Sequence, residues 1–300
     1  MLTKRALMIY NPSSGKKRNH KNFPLIVEKL TDMGYEISIF QLQEDAQELS
    51  SLIKRACRQQ WEALFVAGGD GTIQNVLQSL SPELYRPKVG VFPFGTSNEF
   101  AQVIGLPHNV FKILSIIEKG NTAYVDIGKL GQQYFANIAA AGWLTDITYE
   151  TPKKLKSYLG EFAYALCFIK KLFQQRSREK IAIQIFPDTY ISDLSFFLIM
   201  NGNSVGPFEQ FIPQTNESDG AFHLVTCNIR NRLHLFTVLL ITALRVGNPS
   251  SLIKHQKISS SEVHLPENMF VNMDGERKTV LERKFQVLPN HLKVFTVEAE

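Results

Sequence analysis

Gly68-Gly69-Asp70-Gly71-Thr72 stands between the apolar run Ala63-Leu64-Phe65-Val66-Ala67 and the stretch Ile73-Gln74-Asn75-Val76-Leu77. The first run reads as a buried strand and the second as a helix, which commits this part of the chain to a strand–turn–helix unit. Glycines at such a turn let backbone N–H groups approach a phosphate without side-chain hindrance. The helix N-terminus that follows adds positive dipole potential. A lone carboxylate among phosphate-binding glycines would repel the ligand, so Asp70 makes sense with a cation such as Mg²⁺ beside it. The plainer alternative is an ordinary turn, since Gly-Asp-Gly is common in loops.

Two further small-residue loops support the phosphate reading. Asn11-Pro12-Ser13-Ser14-Gly15-Lys16 follows the apolar strand Ala6 to Tyr10, and Pro93-Phe94-Gly95-Thr96-Ser97-Asn98 follows Val89 to Phe92. In an open α/β sheet, loops at the carboxyl ends of parallel strands converge on one crevice. Helices are expected near Phe23–Met33, Ala46–Gln59, Ile73–Ser79, Asn98–Ile104 and Val110–Glu118, with another strand at Glu36–Gln41. This rhythm implies a mostly parallel sheet with helices on its faces.

After about Tyr124 the rhythm changes. Strands are expected at Ala123–Lys129, Tyr134–Ala139, Ile181–Phe186, Leu194–Met200, Ala221–Cys227, Ser261–Leu265, Met269–Met273 and Phe285–Leu288. Helical stretches interrupt at Thr151–Gln175 and Arg232–Val246. Strands at short spacing indicate an antiparallel sandwich or barrel-like domain. The fold class expected is therefore α/β plus mainly-β. Residues 1–124 form a nucleotide domain, which about 289–300 would complete, residues 125–288 form a β-rich domain, and the site lies in the cleft between them.

The 300 residues are 44% hydrophobic and 20% charged, as in a core-forming globular chain. Cys57, Cys167 and Cys227 show no CxxC spacing, which fits a reducing cytoplasm and suggests no thiolate zinc site. About five apolar residues follow Lys4 and Arg5, too few for a signal-peptide core, and Leu235 to Leu244 is about half a bilayer span. A soluble protein is expected, with any membrane contact at the surface.

The net charge of +5 is unevenly placed. Residues 150–180 hold eight basic side chains (Lys153, Lys154, Lys156, Lys170, Lys171, Arg176, Arg178, Lys180) against three acids, which accounts for the whole excess. They interleave with apolar residues near helical spacing, as in a helix that docks on anionic lipid or, more plainly, a core helix with a solvated face. No recognisable nucleic-acid module accompanies the charge, and nucleic acid is not expected as a partner.

Met273-Asp274-Gly275-Glu276 places carboxylates at a strand end and turn. Phosphoryl transfer to a hydroxyl benefits from a base that takes its proton, and Glu276 is the candidate. A plain Asp-Gly hairpin is the alternative. Asn216-Glu217-Ser218-Asp219-Gly220-Ala221 is a second acidic turn, able to hold a hard cation or simply capped by Asp219. Asp126, an acid within an apolar strand, should have a partner.

Together, in this order and spacing, the Asn11–Lys16, Gly68–Thr72 and Pro93–Asn98 loops and Asp274-Gly275-Glu276 resemble the diacylglycerol kinase catalytic family. The likeness is closest to soluble bacterial lipid kinases of the diacylglycerol kinase B type. It covers essentially the whole chain, including Asn137–Gly142 and Tyr149–Lys156. NAD kinases share the glycine pentapeptide and the nucleotide fold.

The resemblance implies ATP-dependent phosphorylation of a lipid hydroxyl, giving phosphatidate if the acceptor is diacylglycerol. By that likeness Asn11, Pro12, Ser13, Ser14, Gly15, Gly68, Gly69, Gly71, Thr72, Ile73, Gln74, Asn75, Gly95 and Thr96 contact nucleotide. Asp70 positions Mg²⁺-ATP and Glu276 accepts the proton. Asn216 and Ala221 lend carbonyls, and Asp219 a carboxylate, to a structural Mg²⁺ that Asp126 links to the active site. The implied setting is the cytoplasm, with peripheral contact at the inner face of the cell membrane. An exposed edge strand could pair two copies as a homodimer.

The sequence departs from the family at several places: Gln74 and Asn75 replace Asn-Glu, Glu99 replaces Asp, Leu42 replaces a nucleotide-contacting threonine, and Ser218 replaces a frequent aspartate. Other readings are a kinase for another lipid alcohol, a sphingoid base or NAD, and a non-catalytic nucleotide- or lipid-sensing homologue.

Overall fold

The computed structural model describes residues 4–15, 20–42, 46–142, 181–187, 189–202, 219–228, 253–267 and 269–297. The expected helices at Thr151–Gln175 and Arg232–Val246, together with Asn216, lie outside these residues.

Four strands build the first layer: β1 (Lys4–Tyr10), β2 (Tyr35–Gln41), β3 (Ala63–Gly68) and β4 (Lys88–Pro93). They pair in parallel in the order β2-β1-β3-β4. Every residue of β3 is buried, as expected for a central parallel strand covered on both faces.

Five helices accompany these strands: α1 (Phe23–Asp32), α2 (Ala46–Arg58), α3 (Asp70–Leu80), α4 (Glu99–Val103) and α5 (Val110–Lys119). In α1, Ile26 and Leu30 lie one turn apart and are both buried. Asn109 caps α5 by accepting from the Phe111 and Lys112 N–H groups, and Gly120 in the left-handed region ends it. The third helix starts at Asp70, three residues before the sequence-based start, so Gly69 becomes its cap and Asp70 sits where the dipole favours an acid.

The second part is made of strands: β5 (Thr122–Leu130), β6 (Gln133–Phe135), β7 (Ile138–Gly142), β8 (Ile181–Ile185), β9 (Thr189–Leu194), β10 (Phe196–Met200), β11 (Phe222–Cys227), β12 (Ile253–Ile258), β13 (Ser260–His264), β14 (Val271–Met273), β15 (Glu276–Lys278) and β16 (Lys284–Phe295). One antiparallel sheet runs β12-β11-β10-β7-β14-β15. The other sheet continues from β4 through β16, β13 and β8 to β9, with β5 also paired to β16. Between the two, Phe135, Phe197, Phe222 and Phe285 are fully buried in one apolar cluster. This is the expected fold class, a parallel α/β layer and an antiparallel β region.

Besides β16, which runs on to Phe295 past the expected Phe285–Leu288, four strand assignments differ from the sequence reading. The segment expected as one strand, Tyr134–Ala139, is two, β6 and β7. They are separated at Ala136 and Asn137, whose N–H groups turn toward the Asp274 carboxylate. The strands β9, β12 and β15 lie at sheet edges and carry exposed polar residues, so their apolar signal is weak. No described helix is long and apolar enough to cross a membrane.

Candidate active site

The three small-residue loops follow β1, β3 and β4 and lock into one another. Asn11 Nδ2 donates to Thr72 Oγ1 at 2.8 Å, and the Gly69 N–H donates to Ser14 Oγ at 3.3 Å. Gly15 has φ +58°, and a Cβ on it would stand 1.8 Å from the Phe94 carbonyl oxygen. A Cβ on Gly95 would stand 2.7 Å from the Gly69 Cα. Side chains are thus excluded because the loops touch through their backbones. Pro12, Ser13, Gly15, Gly71 and Thr96 are exposed and Asn11, Ser14, Gly68, Gly69 and Gly95 line the same junction, with Thr72 buried beneath it. Beside the third loop a cavity of about 460 Å³ opens toward His108 and the start of α5.

His20 holds the first loop in place. Its Nε2 donates to the Ser14 carbonyl at 2.7 Å, which leaves Nδ1 to accept from the Tyr10 hydroxyl at 3.0 Å. No sequence motif marks this residue; the signal is only a histidine a few positions beyond a glycine loop.

Asp70 is half-buried at the start of α3, and its Oδ1 accepts from the Phe100 N–H at 3.4 Å. A hard, half-buried carboxylate oxygen beside the glycine turn fits a Mg²⁺ ion shared with phosphate oxygens. Among the described residues no three ligand side chains form a protein cage, and Mg²⁺ needs only one or two carboxylates plus phosphate oxygens. Two expected nucleotide contacts are directed elsewhere at the side-chain level. Ile73 packs in the core, and buried Gln74 donates to the Tyr134 carbonyl. Asn75 is half-buried on the same helix.

The acidic hairpin faces these loops from the second sheet. Met273 pairs with Glu276 across Asp274-Gly275, and both turn residues have positive φ (48° and 86°), the geometry of a tight type I′ turn. The Asp274 carboxylate accepts from the Ala136, Asn137 and Ile138 N–H groups at 2.7, 2.9 and 2.9 Å. The turn is therefore anchored rather than free-standing. Lys278 Nζ lies 2.6 Å from Glu276 Oε2. The other oxygen, Oε1, lies 3.6 Å from the point a Cβ on Gly71 would occupy. Only the absence of that side chain leaves a space between the acid and the glycine turn.

Burial pushes the Asp274 carboxyl up to about 6, and Glu99 adds to the rise, while the three N–H groups oppose it. The folded protein then binds this proton more tightly than the unfolded chain does. The resulting stabilisation is fully present below the ordinary value of 3.8 and is lost as pH rises through about 6. Compared with Asp274→Asn, the wild type should lose roughly 2 kcal/mol of unfolding free energy between about pH 4 and 6. Urea denaturation across that range measures it, and parallel pH slopes for the two proteins would show that the N–H donors outweigh burial.

Asp126 has the partners its burial requires: Oδ1 accepts from the Asn290 N–H at 2.7 Å and Oδ2 from the Gly220 N–H at 2.8 Å. At the adjacent acidic turn, Asp219 Oδ1 accepts from the Ala221 N–H at 3.1 Å and Oδ2 pairs with the Lys257 ammonium. Partial burial acts to raise the Asp219 carboxyl, but these bonds prevail and hold it below its ordinary value. Among the described residues Asp219 is thus paired with Lys257, and Asn216, expected beside it, lies outside them.

Comparison with known proteins bears on this geometry. A family model described as the diacylglycerol kinase catalytic domain matches residues 5–130. A protein named diacylglycerol kinase from Staphylococcus carnosus (strain TM300) is 33% identical over 297 residues, covering 98% of this chain and 96% of that protein. The chain belongs to the diacylglycerol kinase family. It is a lipid kinase. Another diacylglycerol kinase, from Staphylococcus saprophyticus, is 32% identical over 295 residues, with 98% of this chain and 96% of that protein covered. The fold is shared with a crystal structure of a diacylglycerol kinase from Bacillus anthracis str. Sterne, at TM-score 0.77 and 22% identity, covering 99% of this chain and 98% of that one. The family model spans the three loops, whereas the hairpin with Glu276 lies outside its match.

Proposed function

We propose that this lipid kinase transfers the γ-phosphoryl group of ATP to the hydroxyl of diacylglycerol, giving phosphatidate and ADP. The carrying observation is the approach of Glu276 Oε1 to Gly71, which sets an acid from the antiparallel sheet opposite the glycine turn of the parallel layer. The glycine-lined backbones of the three loops hold the triphosphate, aided by the N-terminus of α3. Glu276 takes the proton as the acceptor oxygen bonds to the γ-phosphorus, and the bond from that phosphorus to the bridging oxygen of ADP breaks. Asp70 would hold Mg²⁺, which supplies charge neutralisation on the phosphates when bound. Lys278 fixes Glu276 through Oε2 and so turns Oε1 toward the acceptor. The setting proposed is the inner face of the cell membrane, where the acceptor resides.

The test is transfer of labelled phosphate from ATP in mixed micelles holding diacylglycerol, monoacylglycerol, ceramide, sphingosine or undecaprenol, with NAD as an outside control. Diacylglycerol should be the favoured acceptor. Preference for another lipid would reassign the substrate, and ATP binding without transfer to any would favour a sensing role. In the same assay Asp70→Asn, which keeps size and the Phe100 contact, should lower kcat/KM by about 10²-fold or more and raise the Mg²⁺ requirement. Unchanged Mg²⁺ dependence would remove Asp70 from that role.

A further inference from the structure

Gln74 and Gln78 stand one turn apart on α3 and therefore share a face of the helix. Both reach the backbone of Tyr134 in β6. Gln74 Nε2 donates to the Tyr134 carbonyl at 2.9 Å and Gln78 Nε2 donates to the same oxygen at 2.5 Å. The Tyr134 N–H donates back to Gln78 Oε1 at 3.1 Å. Two residues later the Ala136 N–H begins the cradle of Asp274, and two residues beyond Asp274 stands Glu276. Glu276 Oε1 in turn faces Gly71 at the start of α3. The contacts thus close a ring: glycine turn, helix, glutamine pair, β6, Asp274, Glu276 and the glycine turn again.

The glutamines are a costly way to fill this contact. Gln74 is 1% exposed, and among the described residues its Oε1 has no hydrogen-bond partner. An apolar side chain of similar size would pack there without a desolvated amide oxygen. What the amide adds is direction, a fixed distance from α3 to one backbone unit of the strand that leads to the Asp274 cradle.

We infer that Gln74 and Gln78 are positioning residues that set the separation between the glycine turn and the Glu276 carboxylate. This rests on the reading of Glu276 as the base. It also gives the glutamine at position 74 a role other than touching nucleotide. A misplaced base slows transfer without loosening the nucleotide, since the loops hold one another independently of Tyr134.

The experiment uses the full chain with Gln78→Met and with Gln74→Met plus Gln78→Met, which keep side-chain length and remove the bonds. Phosphate transfer to diacylglycerol, direct ATP binding and the folded fraction are measured on each. The double variant should lower kcat by about 10–100-fold per folded molecule, with KM and Kd for ATP within about threefold of wild type. If the double variant does not fold, Gln78→Met alone, at a half-buried position, should show the same split with a smaller loss in kcat. A kcat within twofold of wild type, or a joint fall in kcat and ATP affinity, would overturn the inference. A wild-type chain that transfers nothing to diacylglycerol would overturn the proposed function itself, and this inference with it.

Discussion

Glu276→Gln is expected to lower the rate constant for phosphate transfer by about 10²–10⁴-fold. The glutamine keeps the volume and still offers an oxygen to Lys278, so the change isolates the capacity to accept a proton. The side chain lies at a hairpin rim and is about one-third exposed (34%), so the melting temperature should stay within about two degrees of wild type. ATP affinity should also hold, because the glycine loops are tied to one another through the Asn11–Thr72 and Ser14–Gly69 bonds. Single-turnover transfer alongside direct ATP binding separates the outcomes. Transfer within threefold of wild type would show that another group takes the proton. A parallel loss of ATP affinity would place Glu276 on the nucleotide instead of the acceptor.

The second large effect is expected from Gly15→Ala. The residue sits at φ +58°, which costs an alanine about 1–2 kcal/mol. The greater obstacle is the Phe94 carbonyl oxygen, 1.8 Å from where the methyl would stand. That oxygen belongs to backbone wedged beside Gly95 and Gly69, so the first loop must move outward. The Ser14 Oγ bond to the Gly69 N–H would open with it. ATP affinity should fall by about 10²-fold or more, in line with losing several oriented N–H donors at once. Gly34→Ala is the matched control: its φ is +87°, but among the described residues no atom lies within 4 Å of the added methyl. It should cost some stability and leave ATP binding unchanged. Equal ATP affinities for Gly15→Ala and wild type would show that loop contact does not shape the nucleotide site.

The sequence makes the loops legible for a physical reason. Glycines that must let backbones touch cannot be replaced, and they follow apolar strands whose burial is itself a pattern. The position of Glu276 opposite Gly71 is not legible in that way. It depends on β14 and β15 lying at the edge of the second sheet, paired through β7, and no local pattern encodes that distance. The resemblance to a family suggested the acid's role; the pairing explains how it arrives. Gln74 shows the opposite case, a residue grouped with the nucleotide loop by its place in the motif while its side chain reaches Tyr134. The last strand is only partly legible in the sequence, since Pro289-Asn290 interrupts its apolar alternation. The structure carries the strand through with an irregularity between Leu288 and Leu292, where the Asn290 N–H goes to Asp126.

That strand has a consequence for how the chain is made. Val294 of β16 lies beside Val89 of β4, and the same strand also joins β5 and β13. The parallel layer is thus closed on one side by residues synthesised about two hundred positions after β4. At about 5–20 residues per second, the β4 edge waits about 10–40 s for its partner on the ribosome. An open parallel edge during that interval is a template for wrong pairing. Nascent chains stalled before β16 should therefore engage chaperones, and release them once this strand has emerged.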